Sequence, residues 1–179
     1  METVFEEQVQ SDLWTYLGGL SLVDERMPEC PDVEEKWDSL LQAYLPDGMR
    51  EYRDYPLVSL GWTMFLGMAV AKCWDEDWAD YGRRDNLYAS LRDVRGFDCM
   101  DEYILEDVLK LDAEACGRMS RVVGECAART ESLLRRSPIE PGTRQAFDAY
   151  VACLHQLYRM GMAVWLHAMG YRMRPAQLG

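Results

Sequence analysis

The chain has 179 residues, 49% apolar and 28% charged, and acidic side chains outnumber basic ones 31 to 19. A length of this order suits one domain with a sizeable core, and the apolar share is too high for intrinsic disorder. The net charge of −12 opposes general binding to nucleic-acid backbone, where each phosphate contact needs Lys or Arg.

Ala, Leu and Met together outnumber Val, Ile and Thr 47 to 19. Straight-chain residues lose little rotamer freedom in a helix and β-branched ones lose more. No segment alternates apolar and polar residues as a half-buried strand would. The expected fold is all-α: a single-domain helical bundle over residues 1–179 with about six helices.

In chain order, the N-terminal residues Met1-Glu2-Thr3-Val4-Phe5-Glu6-Glu7 lack the basic and apolar regions of a secretory signal. A first helix is expected over 3–17, broken at Gly18-Gly19. Asp32, with Glu35 three residues later, reads as a capping box opening a second helix that ends before Pro46. A short turn of helix follows over 47–54. Pro56 suits the first turn of a long helix reaching residue 81. A short helix over 85–93 stops near Gly96, and Asp98 begins a further segment. Asp112 starts a helix to residue 136, ended by Ser137-Pro138, and Thr143 caps the last one, over 143–171.

Residues 55–71 carry no charge, and apolar side chains face every direction of that helix. Such a helix is a membrane span or the centre of a core. The run is short for a span and no second one matches it, so burial in a bundle is expected and no membrane contact.

The same stretch takes part in a self-similarity at an offset of 94 residues. Gly48, Arg50 and Asp54 align with Gly142, Arg144 and Asp148, Leu60 with Leu154, and Gly67-Met68-Ala69-Val70 with Gly161-Met162-Ala163-Val164. Two helical halves packed through the helices at 56–81 and 143–171 would explain the pattern. Chance coincidence of small and apolar residues in two core helices would also produce it. If the halves exist, Gly67 and Gly161 belong at the central contact, on antiparallel or crossed neighbours.

Six cysteines stand at 30, 73, 99, 116, 126 and 153, with no Cys-x-x-Cys, so neither a zinc knuckle nor a redox pair is visible. Cys73 and Cys153 lie in apolar helical runs, where a thiol behaves as a small hydrophobe. A reduced, cytoplasmic protein is expected. The two histidines, His155 and His167, are twelve residues apart, about 120° around a helix, and so do not form one metal face. No Glu-x-x-His, His-Glu-x-x-His, Gly-x-Ser-x-Gly, Walker or Rossmann pattern occurs. No cofactor, metal or catalytic residue is assigned.

The strongest local candidate for binding is Trp74-Asp75-Glu76-Asp77-Trp78, at the end of the uncharged helix. Three carboxylates flanked by two indoles suit a divalent cation or a cationic ligand. The plainer reading is a core helix emerging into water. His167 aligns with Cys73 under the 94-residue offset and joins the candidates on that ground. Charge is also uneven: residues 1–117 hold 27 acidic and 10 basic side chains, residues 118–179 hold 4 and 9. Arg121, Arg129 and Arg136 nearly share one helix face, as a docking stripe for an acidic partner or a match to the chain's own acidic half.

The expected function is a non-enzymatic interaction module, binding a basic protein or a second copy of itself as a homodimer, with Trp74, Asp75, Asp77, Trp78 and His167 as its site. The alternative is metal or small-molecule binding, or catalysis, in a cleft between the two halves, using Asp75, Asp77 and Cys73 or His167.

Overall fold

The computed structural model describes residues 3–172, so the expected domain boundaries, 1 and 179, lie outside the described residues. Eight α-helices and no strand occur among the described residues, confirming the all-α bundle with two more helices than expected. They are α1 (Val4–Gly19), α2 (Pro31–Glu35), α3 (Trp37–Tyr52), α4 (Pro56–Tyr81), α5 (Leu87–Arg92), α6 (Met100–Tyr103), α7 (Ala113–Arg136) and α8 (Arg144–Ala168).

The centre is the pair α4 and α8. Leu60, Met64, Leu66, Met68, Leu154, Leu157, Met160 and Met162 are all completely buried. By length and composition α4 would pass for a membrane span, but 72% of its most apolar window lies inside the bundle. The two helices run in the same direction. Ser59 Oγ shares a hydrogen bond with Tyr150 Oη near their N-terminal ends, and Trp74, in the C-terminal part of α4, packs edge-on against Tyr171 just past the end of α8, with ring centroids 5.4 Å apart.

They cross at glycine. A Cβ at Gly67 would overlap the carbonyl oxygen of Tyr158 and lie 2.9 Å from the amide nitrogen of Met162. A Cβ at Gly161 would overlap the carbonyl oxygen of Met64 and lie 3.1 Å from the amide nitrogen of Met68. Each glycine Cα–H thus faces a carbonyl of the other helix, the close approach that small residues permit. The contact is reciprocal at an offset of 94: Met64 and Tyr158, Gly67 and Gly161, Met68 and Met162. The likeness does not reach the aligned glycines upstream. Gly48 lies inside α3, where a Cβ would meet the Tyr44 ring and Tyr150 Oη, whereas Gly142 sits in open space at φ +79° ahead of α8.

Several boundaries differ from expectation. Gly18 and Gly19 complete the last turn of α1 rather than breaking it, and the chain turns at Ser21 with φ 59°. Asp32 does not cap α2: the helix begins one residue earlier, at Pro31, with Cys30 at the cap position, and the Asp32 carboxylate accepts a hydrogen bond from the Trp74 indole at 3.0 Å. Pro46 does not end a helix: α3 continues through it to Tyr52. The lost backbone bond is offset by tertiary contacts on either side. Tyr44 Oη donates to Ser59 O, and the buried carboxylate of Asp47 accepts from Tyr88 Oη at 2.7 Å, Arg92 at 2.9 Å and Arg50 at 2.9 Å. The segment opened by Asp98 becomes a 3₁₀ turn, the short α6 and a wider turn over Ile104–Val108, closed by Leu109 N donating to Ile104 O at 2.8 Å. The last helix ends at Ala168, not 171.

Candidate functional site

The acidic turn marks the end of α4. Asp75, Glu76 and Asp77 are exposed, and Trp74 and Trp78 are half-buried. Asp77 leaves helical geometry, with φ −161° and ψ 76°, and its Oδ1 accepts from Asp80 N at 3.3 Å, so it caps the final helical turn. Trp78 is folded over the backbone of Gly82, whose Cβ would lie 2.9 Å from the indole nitrogen. Asp75 accepts a 2.6 Å bond from Tyr171 Oη, which together with burial raises the tyrosine's pKa. Arg84 pairs with Asp80 at 2.9 Å and Lys72 with Glu76 at 3.4 Å. Neither Asp75 nor Asp77 is neutralised by Arg83 or Arg84.

His167 is not brought to this turn. No hydrogen bond, ion pair or ring contact joins it to residues 74–78, and it lines a separate cavity of about 20 Å³ with Asp24, Tyr171 and Arg172. Its buried Nδ1 has no hydrogen-bond partner. Cys73 lines a different cavity of about 220 Å³ with Glu76, Tyr81, Arg84 and Lys110. The pairing of Cys73 with His167 suggested by the 94-residue offset does not form.

No group of three or more His, Cys, Asp or Glu among the described residues is arranged to hold a metal ion. The six cysteines are all free. Burial pushes the thiols of Cys73, Cys126 and Cys153 up to about 12, so none supplies a thiolate near neutral pH. His155 lies between two carboxylates, 3.3 Å from Glu34 and 3.9 Å from Glu6, and stacks on Trp37 at 5.2 Å. Burial disfavours the charge on Glu34, but the bonds from His155 and Arg159 outweigh it and hold its carboxyl below the usual range. This cluster ties α1 and α2 to α8.

A larger concavity lies elsewhere. A groove of about 930 Å³ opens between the end of α1, the first half of α7 and the end of α8. Tyr16, Leu20, Leu22, Met119, Val122 and Trp165 form its walls. Leu20 is 48% exposed there, and Trp165, only 8% exposed, holds an indole N–H that finds no acceptor. Arg118, Arg121 and Glu125 stand at the rim. Arg118 pairs with Glu114 at 3.0 Å and Glu125 with Arg129 at 3.0 Å. Arg129 also reaches Asp12 at 3.2 Å and covers the Tyr16 ring at 4.6 Å. Arg121 is exposed and pairs with no described residue. The groove has the size, apolar walls and few polar groups typical of small-molecule sites. Sequence reasoning missed it because its walls come from three separated segments. One signal was present: Leu111, Ala115, Met119 and Val122 repeat at helical spacing beside the buried stripe of Val123, Cys126 and Thr130. That apolar arc is wider than one neighbouring helix covers.

No protein-family model, curated protein or solved structure matches this chain, and the functional reading therefore rests on its residues.

Proposed function

We propose that this is a non-enzymatic binding protein whose working site is the groove between α1, α7 and α8, and that it takes a small apolar ligand there. The observation that carries this reading is a concavity of about 930 Å³ with apolar walls from Tyr16, Leu20, Leu22, Met119, Val122 and Trp165. A volume of about 930 Å³ falls in the range of small-molecule sites.

The test uses a neutral apolar fluorophore, N-phenyl-1-naphthylamine, with the full chain. It should bind saturably at one site with blue-shifted emission. Ala115→Trp, which fills the groove from the half-buried start of α7, should weaken binding at least tenfold and leave the melting temperature unchanged. Absence of saturable binding, or binding indifferent to Ala115→Trp, sinks the reading.

A second reading is favoured by the open carboxylates of Asp75 and Asp77 beside Trp74 and Trp78: a docking surface for a basic protein. An oligolysine peptide should then bind with strong salt dependence, and Asp75→Asn with Asp77→Asn should abolish that binding in a folded protein. Equal binding by the double variant ends this reading.

A further inference from the structure

Resting on the groove as the binding site, we infer that its ligand class is the amphipathic anion: a single apolar chain or ring system ending in a carboxylate, with Arg121 pairing the head group at the groove mouth. Three charged side chains line the opening on α7, and two are already satisfied: Arg118 by Glu114, and Glu125 by Arg129, each at 3.0 Å. Arg121 alone of this set has no carboxylate, in a chain where acidic residues exceed basic ones by 31 to 19. Its guanidinium leans back along α7, with Nη1 lying 3.6 Å from where a Gly117 Cβ would stand. A planar guanidinium at the edge of an apolar wall suits a carboxylate, which it meets with two parallel hydrogen bonds. The apolar walls below it suit the ligand's body. A cationic ligand would leave Arg121 unanswered and set like charge against it.

The remote acidic half does not override this local preference. The Debye length is about 8 Å at physiological ionic strength, so distant carboxylates are screened while a direct guanidinium contact is not.

The experiment titrates the full chain calorimetrically with three ligands of equal chain length: octanoate, octan-1-ol and octyltrimethylammonium, all below their aggregation limits. Wild type should bind octanoate roughly tenfold more tightly than octanol and octyltrimethylammonium most weakly. Arg121→Gln should bring octanoate down to the octanol value and leave octanol unchanged. Arg121→Glu should invert the order, favouring the ammonium ligand. Arg121 is exposed, so these variants are expected to fold, and unchanged octanol binding confirms that the groove survives. Equal binding of octanoate and octanol by wild type overturns the anion assignment while leaving the groove as a site. Failure of all three ligands to bind overturns the groove itself, and with it this inference.

Discussion

One stripe of α8 meets two different surroundings. Gly161, Trp165 and Ala168, spaced four and three residues apart, lie within about 60° of one another around the helix. At Gly161 the stripe is closed so tightly that α4's backbone occupies the space of a Cβ. One and two turns later the same stripe faces a groove, and the Trp165 N–H goes unanswered. Straight helices that touch at one point must diverge beyond it. What fills the widening gap decides whether a bundle is solid or hollow. Here α1 and α7 flank it without closing it. The tight crossing and the open groove are two consequences of one packing geometry.

The largest effect should come from the closed end. Gly67→Ala or Gly161→Ala forces a methyl group into a carbonyl of the facing helix, and backbone cannot step aside as a flexible side chain does. Either substitution should cost more than about 3 kcal/mol, the upper range for overpacking, measured by denaturant unfolding. Gly124→Ala is the control on α7, because a Cβ there meets nothing within 4 Å. It should stabilise by about 0.5–1 kcal/mol through helix propensity. Similar results for Gly67 and Gly124 would mean that the crossing is looser than described.

That contrast also separates what was legible in the sequence from what was not. Local side-chain chemistry was legible. Asp112 and Thr143 cap α7 and α8 as expected, accepting from Ala115 N at 2.8 Å and Ala146 N at 3.1 Å. Thr3 caps α1 by accepting from Glu6 N at 3.1 Å. The central helix was legible because seventeen uncharged residues leave little choice but burial. Pro46 misled because the bonds that support α3 on either side of it involve Ser59, Tyr88 and Arg92, far away in sequence. Asp32 misled because α2 starts at Pro31, one residue before it, which leaves Cys30 at the cap position. The groove was illegible for a related reason: an unfilled space is a property of how three segments diverge, and no one segment encodes it. The acidic turn was visible as a run of residues, but its inner wiring through Tyr171 and Gly82 was not.

The closed region has a polar element that should rank next. Asp47 is 8% exposed and holds Tyr88, Arg92 and Arg50, joining α3 to α5. Burial opposes its charge, but the bonds from Tyr88 and Arg92 prevail and its pKa is lowered. Asp47→Asn should cost about 1–3 kcal/mol at pH 7. Glu34, which clasps α2 to α8, should show a smaller loss of about 1–2 kcal/mol on change to Gln. Both carboxyls sit lower in the folded chain than in the unfolded one. Their stabilisation is therefore complete above the unfolded carboxylate pKa, near pH 4, and is lost as pH falls through the folded value. Each variant should flatten the acid limb of the stability curve and leave the region above pH 6 parallel to wild type. An unchanged acid limb would show that these clasps carry no linkage.

The smallest effect discriminates best between closed and open packing along α7. Arg121 and Arg129 are eight residues apart and nearly share a face, yet only Arg129 is tied to α1, through Asp12 at 3.2 Å and the Tyr16 ring at 4.6 Å. Its side chain is 39% exposed and Asp12's is 34%, so solvent screens the pair. A double-mutant cycle between Arg129→Gln and Asp12→Asn should give a coupling of about 0.2–1 kcal/mol. Arg121→Gln should change stability by less than about 0.5 kcal/mol, as expected of a surface side chain without partners, and should show no coupling to Asp12→Asn. If Arg121 instead coupled to Asp12 as strongly as Arg129 does, the α1 and α7 seam would be closed along its whole length. The groove would then have no unsatisfied cation to offer a ligand, and the distinction between the two ends of the stripe would disappear.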